Sequence, residues 1–516
     1  MGQDRFEVRS PVDGHVVGEY PVFGEEDISK AVGKARFSYD KWKAVALKQR
    51  ARLLLKGASV IADMADEIVD VITSETGKKK LEAMMTEVYL VADLFHYYGK
   101  NVEDFLSPVK VPTPMVLPRR RSYYQFHPRG VIAVISPWNY PFLLSMGPLI
   151  SAMAAGNGAV LKPSSQTTGC GVIATKIFKK AGFPKDLVQV VTGPGGKTGD
   201  ALLAASGIDM FFFTGSTGIG RQVAELSAKR LIPFIMELGG KDALIVLGGA
   251  DLDRAANAAV FASFENAGQT CIGTERCYVE AAVYDEFVLR VKNIVKNLKA
   301  APGEGSYSLG PMITKAQQIS VSKALADATA KGAKVIAKGS CSDKGGQFLM
   351  PTCLTDVPPG TVLMDEETFG PVLPIIKVKD ADEAIRLAND SKYGLSGSVF
   401  GRLDRHTKKV VDSLDTGSVS VNDVLNIMVN PNLPFGGVKR SGMGFYHSKE
   451  GLRSFCKMKS VIENKNWSKK KELYYYPYDV SDYELLKSGL RFFYSEGIGE
   501  RLRNIPAALK LYRKML

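Results

Sequence analysis

Of the six cysteines in this 516-residue chain, at positions 170, 271, 277, 341, 353 and 456, one sits in a sequence suited to nucleophilic chemistry. Cys271 ends the polar run Asn266-Ala267-Gly268-Gln269-Thr270-Cys271, just after the helical pattern Leu252 to Phe264. A cysteine is ordinarily a small buried hydrophobe; a polar, glycine-bearing loop instead leaves the thiol reachable, and its thiolate can form a covalent adduct. The other five lie in apolar or ordinary surface contexts. Glu237 is the second unusual residue. It ends the apolar run Phe234 to Met236 and precedes Gly239-Gly240, where a carboxylate can point into a crevice with its pKa raised by poor solvation. The plainer alternative is a salt bridge at a strand end. The five histidines (15, 96, 127, 406, 447) lack metal-ligand spacing and the cysteines lack CxxC spacing, so neither a metal nor a disulfide framework is expected.

Two glycine-rich segments could hold phosphate. Gly193-Pro194-Gly195-Gly196-Lys197-Thr198 resembles the end of a P-loop, but the required glycine five positions before Gly196 is Val191, and the motif fails. Gly215-Ser216-Thr217-Gly218-Ile219-Gly220 follows the apolar run Met210 to Phe213 and opens a helical pattern, the setting in which backbone N–H groups hold a pyrophosphate. Its spacing is not G-x-G-x-x-G, so a tight strand-to-helix turn explains it equally well.

The elements that must position these residues alternate along the chain. Helical periodicity covers Glu25 to Phe105; short apolar runs then alternate with helices at Val131 to Ile135, Ala159 to Leu161, Val188 to Val191, Met210 to Phe213 and Phe234 to Met236, and a second series starts near Asp242. This is the pattern of parallel sheets with crossover helices, in two α/β domains that divide near Leu238-Gly239-Gly240. With 45% apolar and 23% charged residues the chain is globular. A net charge of +13 suits an anionic cofactor as well as it suits nucleic acid or an anionic membrane. No run reaches the length of a membrane span, and cysteine usage fits a reducing, cytoplasmic setting.

Seven segments together resemble the aldehyde dehydrogenase superfamily, in the family's order and through most of the chain to about Asn464: Ser136-Pro137-Trp138-Asn139-Tyr140-Pro141, Leu161-Lys162-Pro163-Ser164, Phe213-Thr214-Gly215-Ser216-Thr217, Met236-Glu237-Leu238-Gly239-Gly240-Lys241, Gly268-Gln269-Thr270-Cys271, Glu366-Glu367-Thr368-Phe369-Gly370-Pro371 and Pro434-Phe435-Gly436-Gly437-Val438-Lys439-Arg440-Ser441-Gly442. The resemblance implies two doubly wound α/β domains, a cofactor-binding one (1–109 and 129–238) and a catalytic one (239–447), with a small β oligomerisation arm (110–128 and 448–465) giving a homodimer or homotetramer. It also implies that an aldehyde is oxidised to the carboxylic acid with NAD or NADP, that Cys271 is the nucleophile and Glu237 the base, and that Asn139 stabilises the oxyanion. Lys162 and Glu367 would bind the riboses, with Trp138, Gly215, Ser216 and Phe369 around the cofactor. NAD-preferring relatives follow Lys-Pro-Ser with Glu; here Ser165 stands there, which makes NADP acceptable.

The substrate wall is expected from Tyr140, Leu144, Gly147, Thr270, Ile272 and Phe435. Relatives specialised for small aldehydes often carry a large aromatic where Gly147 falls, so its absence would widen the tunnel for a long aliphatic or aromatic aldehyde. The alternative substrate is succinate semialdehyde, although no arginine is identified to hold its second carboxylate. A non-catalytic protein of the same fold, or a non-redox acyltransferase, are the competing classes, and no nucleic-acid partner is expected. The segment 466–516 is a basic, aromatic extension with an apolar stripe of Leu502, Ile505, Leu509, Tyr512 and Leu516. Such a helix can lie on an anionic membrane surface, but packing on a neighbouring subunit or over the substrate mouth ranks slightly ahead.

Overall fold

A computed structural model describes residues 4–306, 308–342 and 345–516, which form two compact units. The first comprises Met1–Phe105 and Pro128–Cys456. Its apolar runs become two largely parallel sheets because each run is apolar on both faces and must be covered by helices on both. One sheet has six strands in the order Gly442–Met443, Phe234–Glu237, Met210–Thr214, Val131–Ile135, Gly158–Lys162 and Val188–Val190. All are parallel except Gly442–Met443, which closes the edge against Phe234–Glu237. The other has seven, in the order Lys334–Lys338, Thr352–Thr355, Val372–Val378, Thr274–Glu280, Asp242–Val246, Ser396–Phe400 and Ser418–Val421. Only its edge strand Lys334–Lys338 runs antiparallel to its neighbour.

The chain passes from one sheet to the other between Glu237 and Asp242, through Leu238-Gly239-Gly240-Lys241. The buried Lys241 ammonium ties that link into the second sheet, donating to Glu275 at 2.7 Å and to the Thr368 hydroxyl at 2.9 Å. Arg276 in turn donates to the Lys241 carbonyl at 2.6 Å.

The second unit comprises Leu106–His127 and Lys457–Leu516. A three-stranded sheet places Arg120–Pro128 between Val109–Val111 and Cys456–Asn464, and the C-terminal residues fold as helices Asp482–Tyr494, Ile498–Arg503 and Ile505–Met515. Arg120 and Glu472 form an ion pair of 2.7 Å with both side chains nearly excluded from solvent. The single apolar stripe expected over Glu500 to Leu516 is not what forms. Pro506, which has no N–H to donate, sits in the first turn of the last helix, and the chain breaks at Asn504. Ala508 and Leu511 are buried, whereas Leu502, Leu509 and Tyr512 are exposed. Among the described residues no helix is long and apolar enough to cross a membrane.

Candidate active site

The loop that carries Cys271 is held in an uncommon backbone conformation. After the helix Leu252–Phe264, Asn266, Ala267 and Gly268 all have positive φ (51°, 54° and 74°), so the chain doubles back before entering the strand Thr274–Glu280. A side chain at Gly268 would overlap the Gly370 carbonyl, and one at Gly240 would overlap the carbonyl of Cys271 itself. These two glycines let the Cys271 loop lie against the link between the sheets.

Two cavities meet at Cys271. One, of about 250 Å³, is walled mainly by apolar side chains, among them Leu90, Leu143, Leu144, Phe261, Ile272 and Met428, with Thr86, Tyr140, Glu265, Thr270 and Asn426 as polar members. The other, of about 260 Å³, is walled by Trp138, Asn139, Thr214, Gly215, Ser216, Glu237, Glu367 and Phe369. Cys271 and Leu144 border both.

Burial sets the protonation states. It pushes the Cys271 thiol well above its usual range, and Asp242, Glu367 and Glu237 push the same way, while the Ile272 N–H opposes them. Burial likewise raises Glu237 well above an ordinary carboxyl, and neither of its oxygens has a hydrogen-bond partner. A thiol and a carboxyl with no cation to stabilise their charges stay neutral until a proton is removed. Glu367, raised to about 8 mainly by burial and then by Glu275, accepts the Gly240 N–H at 3.0 Å.

Asn139 is fixed from several sides. Its Nδ2 donates to the Gln269 carbonyl at 3.0 Å, and its own carbonyl accepts from Asn266 Nδ2 at 2.9 Å and from Lys78 at 3.2 Å. Lys78 is fully buried and paired with Glu87 at 2.7 Å. The other Glu87 oxygen accepts the N–H groups of Phe142 (2.8 Å) and Leu143 (3.1 Å), a carboxylate at the start of the helix Leu143–Ala155. Sequence reading missed Lys78, Glu87, Asn266 and Gln269. It also missed Glu265, which accepts hydrogen bonds from the Tyr140 and Thr270 hydroxyls. The available signal was an acidic residue directly after a buried helix.

The expected cofactor residues divide into two places. Trp138, Gly215, Ser216, Glu367 and Phe369 line the polar cavity, where Trp138 and Phe369 meet edge to face at 5.5 Å. Lys162 and Ser165 lie off that wall, at the end of Gly158–Lys162 and in the turn after it. Lys162 is 5% exposed, donates only to the Pro163 carbonyl at 3.1 Å, and has its pKa lowered to about 8 by burial. A buried ammonium with no carboxylate partner fits a polar or anionic ligand. Trp138, Lys162, Ser165, Gly215 and Ser216, at or just after the C-terminal ends of parallel strands, fit a dinucleotide, with Glu367 and Phe369 added from the loop before Val372–Val378. Among the described residues no cluster of His, Cys, Asp or Glu could hold a metal.

For the substrate wall, Tyr140, Leu144, Thr270 and Ile272 line the apolar cavity beside Cys271, but Gly147 and Phe435 do not. The expectation that Gly147 opens the tunnel is overturned, because a methyl group there would overlap the Tyr446 hydroxyl. That phenol occupies the volume which the missing side chain leaves. Phe435 instead pairs its backbone with Tyr446, at 2.8 and 2.7 Å.

Residues 1–461 match the Aldehyde dehydrogenase family. The chain is 38% identical over 508 residues to 4,4'-diapolycopene aldehyde oxidase of a Methylomonas species, covering 98% of this chain and 94% of that protein. It is also 38% identical over 445 residues to a Mycobacterium ulcerans protein provisionally named succinate-semialdehyde dehydrogenase NADP(+) 2, covering 86% and 85% respectively. The structure of a Bacillus cereus aldehyde dehydrogenase in complex with NAD+ superposes with a TM-score of 0.85 at 32% identity, covering 90% of this chain and 94% of that one.

Proposed function

The chain belongs to the aldehyde dehydrogenase family, and on that premise we propose that it oxidises an extended apolar aldehyde to the free carboxylic acid with NAD or NADP. Cys271 acts as nucleophile, Glu237 as base and Asn139 as oxyanion donor. The observation that carries this reading is the position of Cys271 on the boundary between an apolar and a polar cavity, with the unpartnered Glu237 carboxyl in the polar one.

The Cys271 thiol gives up its proton to solvent, and the thiolate adds to the aldehyde carbon while the carbonyl electron pair moves to oxygen. The Asn139 side-chain amide and the Cys271 backbone N–H receive that oxyanion; such a donor typically contributes about 10² to 10³ in rate. When bound, the nicotinamide cofactor accepts the hydride that leaves the adduct carbon, and a thioester remains on Cys271. Glu237, as the carboxylate once its own proton has left to solvent, takes a proton from water. The hydroxide adds to the thioester, the C–S bond breaks with its electron pair on sulfur, and the Glu237 proton restores the thiol. Lys162 and Glu367 hold the riboses, with Trp138, Gly215, Ser216 and Phe369 around the ring and pyrophosphate. Ser165, which presents no carboxylate, leaves a 2′-phosphate acceptable. In this scheme 1–109 and 129–238 hold the cofactor, 239–447 supply the nucleophile, and 110–128 with 448–465 are the arm of a homodimer or homotetramer.

The apolar cavity supports a long hydrocarbon chain. Succinate semialdehyde is disfavoured because, among the described residues, the cavity wall contains no Lys, Arg or His and does contain Glu265. The relative named for an aldehyde of a long polyene also matches over 98% of this chain, hence into the extension, whereas the one named for succinate semialdehyde covers 86%. The extension exposes Tyr483, Leu490, Tyr494, Ile498 and Leu502, and its segment 465–516 has 11 Lys or Arg against 6 Asp or Glu. We take it as a contact for an anionic lipid surface, where such substrates dissolve. Flotation with anionic liposomes tests this; protein that stays in the pellet at low salt assigns the extension to protein packing instead.

The decisive experiment for the reaction uses Glu237→Gln with decanal. A stoichiometric burst of reduced cofactor should be followed by turnover slowed about 10² to 10³-fold, because acylation outlasts the loss of the hydrolytic base. The absence of any burst, with no thioester on Cys271, would place the chemistry elsewhere.

A further inference from the structure

Four buried polar atoms around the base have no hydrogen-bond partner: both carboxylate oxygens of Glu237, the Thr214 hydroxyl and the Tyr446 hydroxyl. Buried polar atoms are nearly always paired, so a cluster of unpaired ones calls for a function. Thr214 and Glu237 are register partners on adjacent parallel strands, and their side chains therefore stand side by side on one face of the sheet.

Tyr446 approaches from the chain that follows the edge strand Gly442–Met443, in which Gly442 pairs with Glu237. Its ring is fixed by three contacts: an edge-on pairing with Phe212 at 5.4 Å, the His447 ring at 4.1 Å, and the two backbone hydrogen bonds to Phe435. Its hydroxyl rests against Gly147, where a methyl group would overlap it. Tyr446 is only 2% exposed. Burial, Tyr98 and Glu237 all keep its phenol protonated, so the oxygen is available as a donor; the titratable groups it faces are Tyr98, Glu237 and the His447 ring, which burial keeps neutral by lowering its pKa to about 3. A glycine at 147 and a tyrosine at 446 thus fit each other, and the result is a buried phenol O–H that the Glu237 carboxyl acts on electrostatically.

We propose that Tyr446 is a positioning residue for Glu237, its O–H donating through a bridging water toward the carboxylate and holding it in the orientation that activates the hydrolytic water. This rests on the reaction proposed above. The phenol gains and loses no proton in the cycle. In the hydrolytic step Glu237 takes the proton from water, the O–C bond forms, the C–S bond breaks, and the phenol donates a hydrogen bond to the charged carboxylate before that transfer. Thr214, beside Glu237, accepts or donates to the same water. A hydrogen bond to the charged form lowers a carboxyl pKa and so opposes the rise that burial imposes.

The test needs no nicotinamide. 4-Nitrophenyl octanoate acylates a reactive cysteine directly: nitrophenolate release reports acylation, and intact-protein mass reports the decay of octanoyl-Cys271. Tyr446→Phe keeps the ring and its packing and removes only the oxygen. Acylation should stay within about twofold of the parent, and octanoyl decay should slow about tenfold. The pH midpoint of decay should move upward by about one unit, because the carboxylate loses a donor. An unchanged decay rate and midpoint would overturn the proposal. A proportional fall in acylation and decay, with the midpoint unmoved, would also overturn it, since that is what a packing role gives. Should Tyr446→Phe fail to fold, Gly147→Ala, which pushes the hydroxyl aside without altering the tyrosine, must give the same selective slowing. A parent protein that never forms octanoyl-Cys271 defeats the proposed reaction itself, a result distinct from every variant outcome.

Discussion

The two cavities at Cys271 are almost equal in size but opposite in character, one walled mainly by hydrocarbon and the other carrying Asn139, Glu237 and Glu367. The apolar one recognises without direction, since burial scales with area. The polar one depends on the placement of single atoms, and its Asn139 is immobilised by the Lys78–Glu87 pair. Specificity for chain length and competence for chemistry can therefore vary independently, with the cysteine as the only reacting group common to both.

The largest test of that separation is Cys271→Ala. Reduced cofactor and acyl adduct should both vanish, to below about one per cent of the parent, while cofactor binding by fluorescence titration persists. Retained turnover would remove the cysteine from its place between the cavities.

A smaller effect is expected from Val429→Arg, at the exposed rim of the apolar cavity. It should lower kcat/KM for decanal by about 10 to 10², the value of one lost apolar contact surface, and leave acetaldehyde nearly unaffected. Equal losses on both aldehydes would show that the apolar cavity is not read separately from the chemistry. In the parent, each added methylene should raise kcat/KM by up to about fourfold until the cavity is filled.

On the polar side, Ser165→Glu should shift the ratio of kcat/KM for NADP over NAD toward NAD by about tenfold, through one carboxylate facing the ribose. An unchanged ratio would mean that Ser165 does not meet the ribose.

The smallest effect concerns stability. Glu237 has a folded pKa raised above its unfolded value by burial, so the stability it contributes is complete below the unfolded pKa and is lost as pH rises toward the folded one. Glu237→Gln should therefore raise Tm by about 1 to 2 °C near pH 8 and by less near pH 5. A Tm gain that ignores pH would locate the effect in packing.

The fold and the two candidate reactive residues were legible because their signals are local. Continuous apolar runs such as Met210 to Phe213 can only be doubly covered strands, and Cys271 and Glu237 stand out against their own neighbours. The error at Gly147 has a different origin. The residue that fills its space is Tyr446, almost three hundred positions away, and nothing near either residue announces the other. Glu265 with Tyr140 and Thr270, and Lys78 with Glu87 and Asn139, were invisible for the same reason, since each set is assembled from separate loops and helices. In the C-terminal stripe the spacing of apolar residues implied one buried face, but Pro506 decides where the last helix begins, and periodicity alone does not weigh it.

The link Leu238-Gly239-Gly240-Lys241 sets the separation of Glu237 and Cys271 by covalent geometry at one end and by the buried Lys241–Glu275 pair at the other. Glu237 and Cys271 therefore keep their separation while the two sheets keep their hydrogen bonds. On slow heating, catalytic inactivation and the cooperative loss of sheet structure should accordingly be a single event, without the early, reversible loss of activity shown by enzymes whose reactive groups ride on independently unfolding loops.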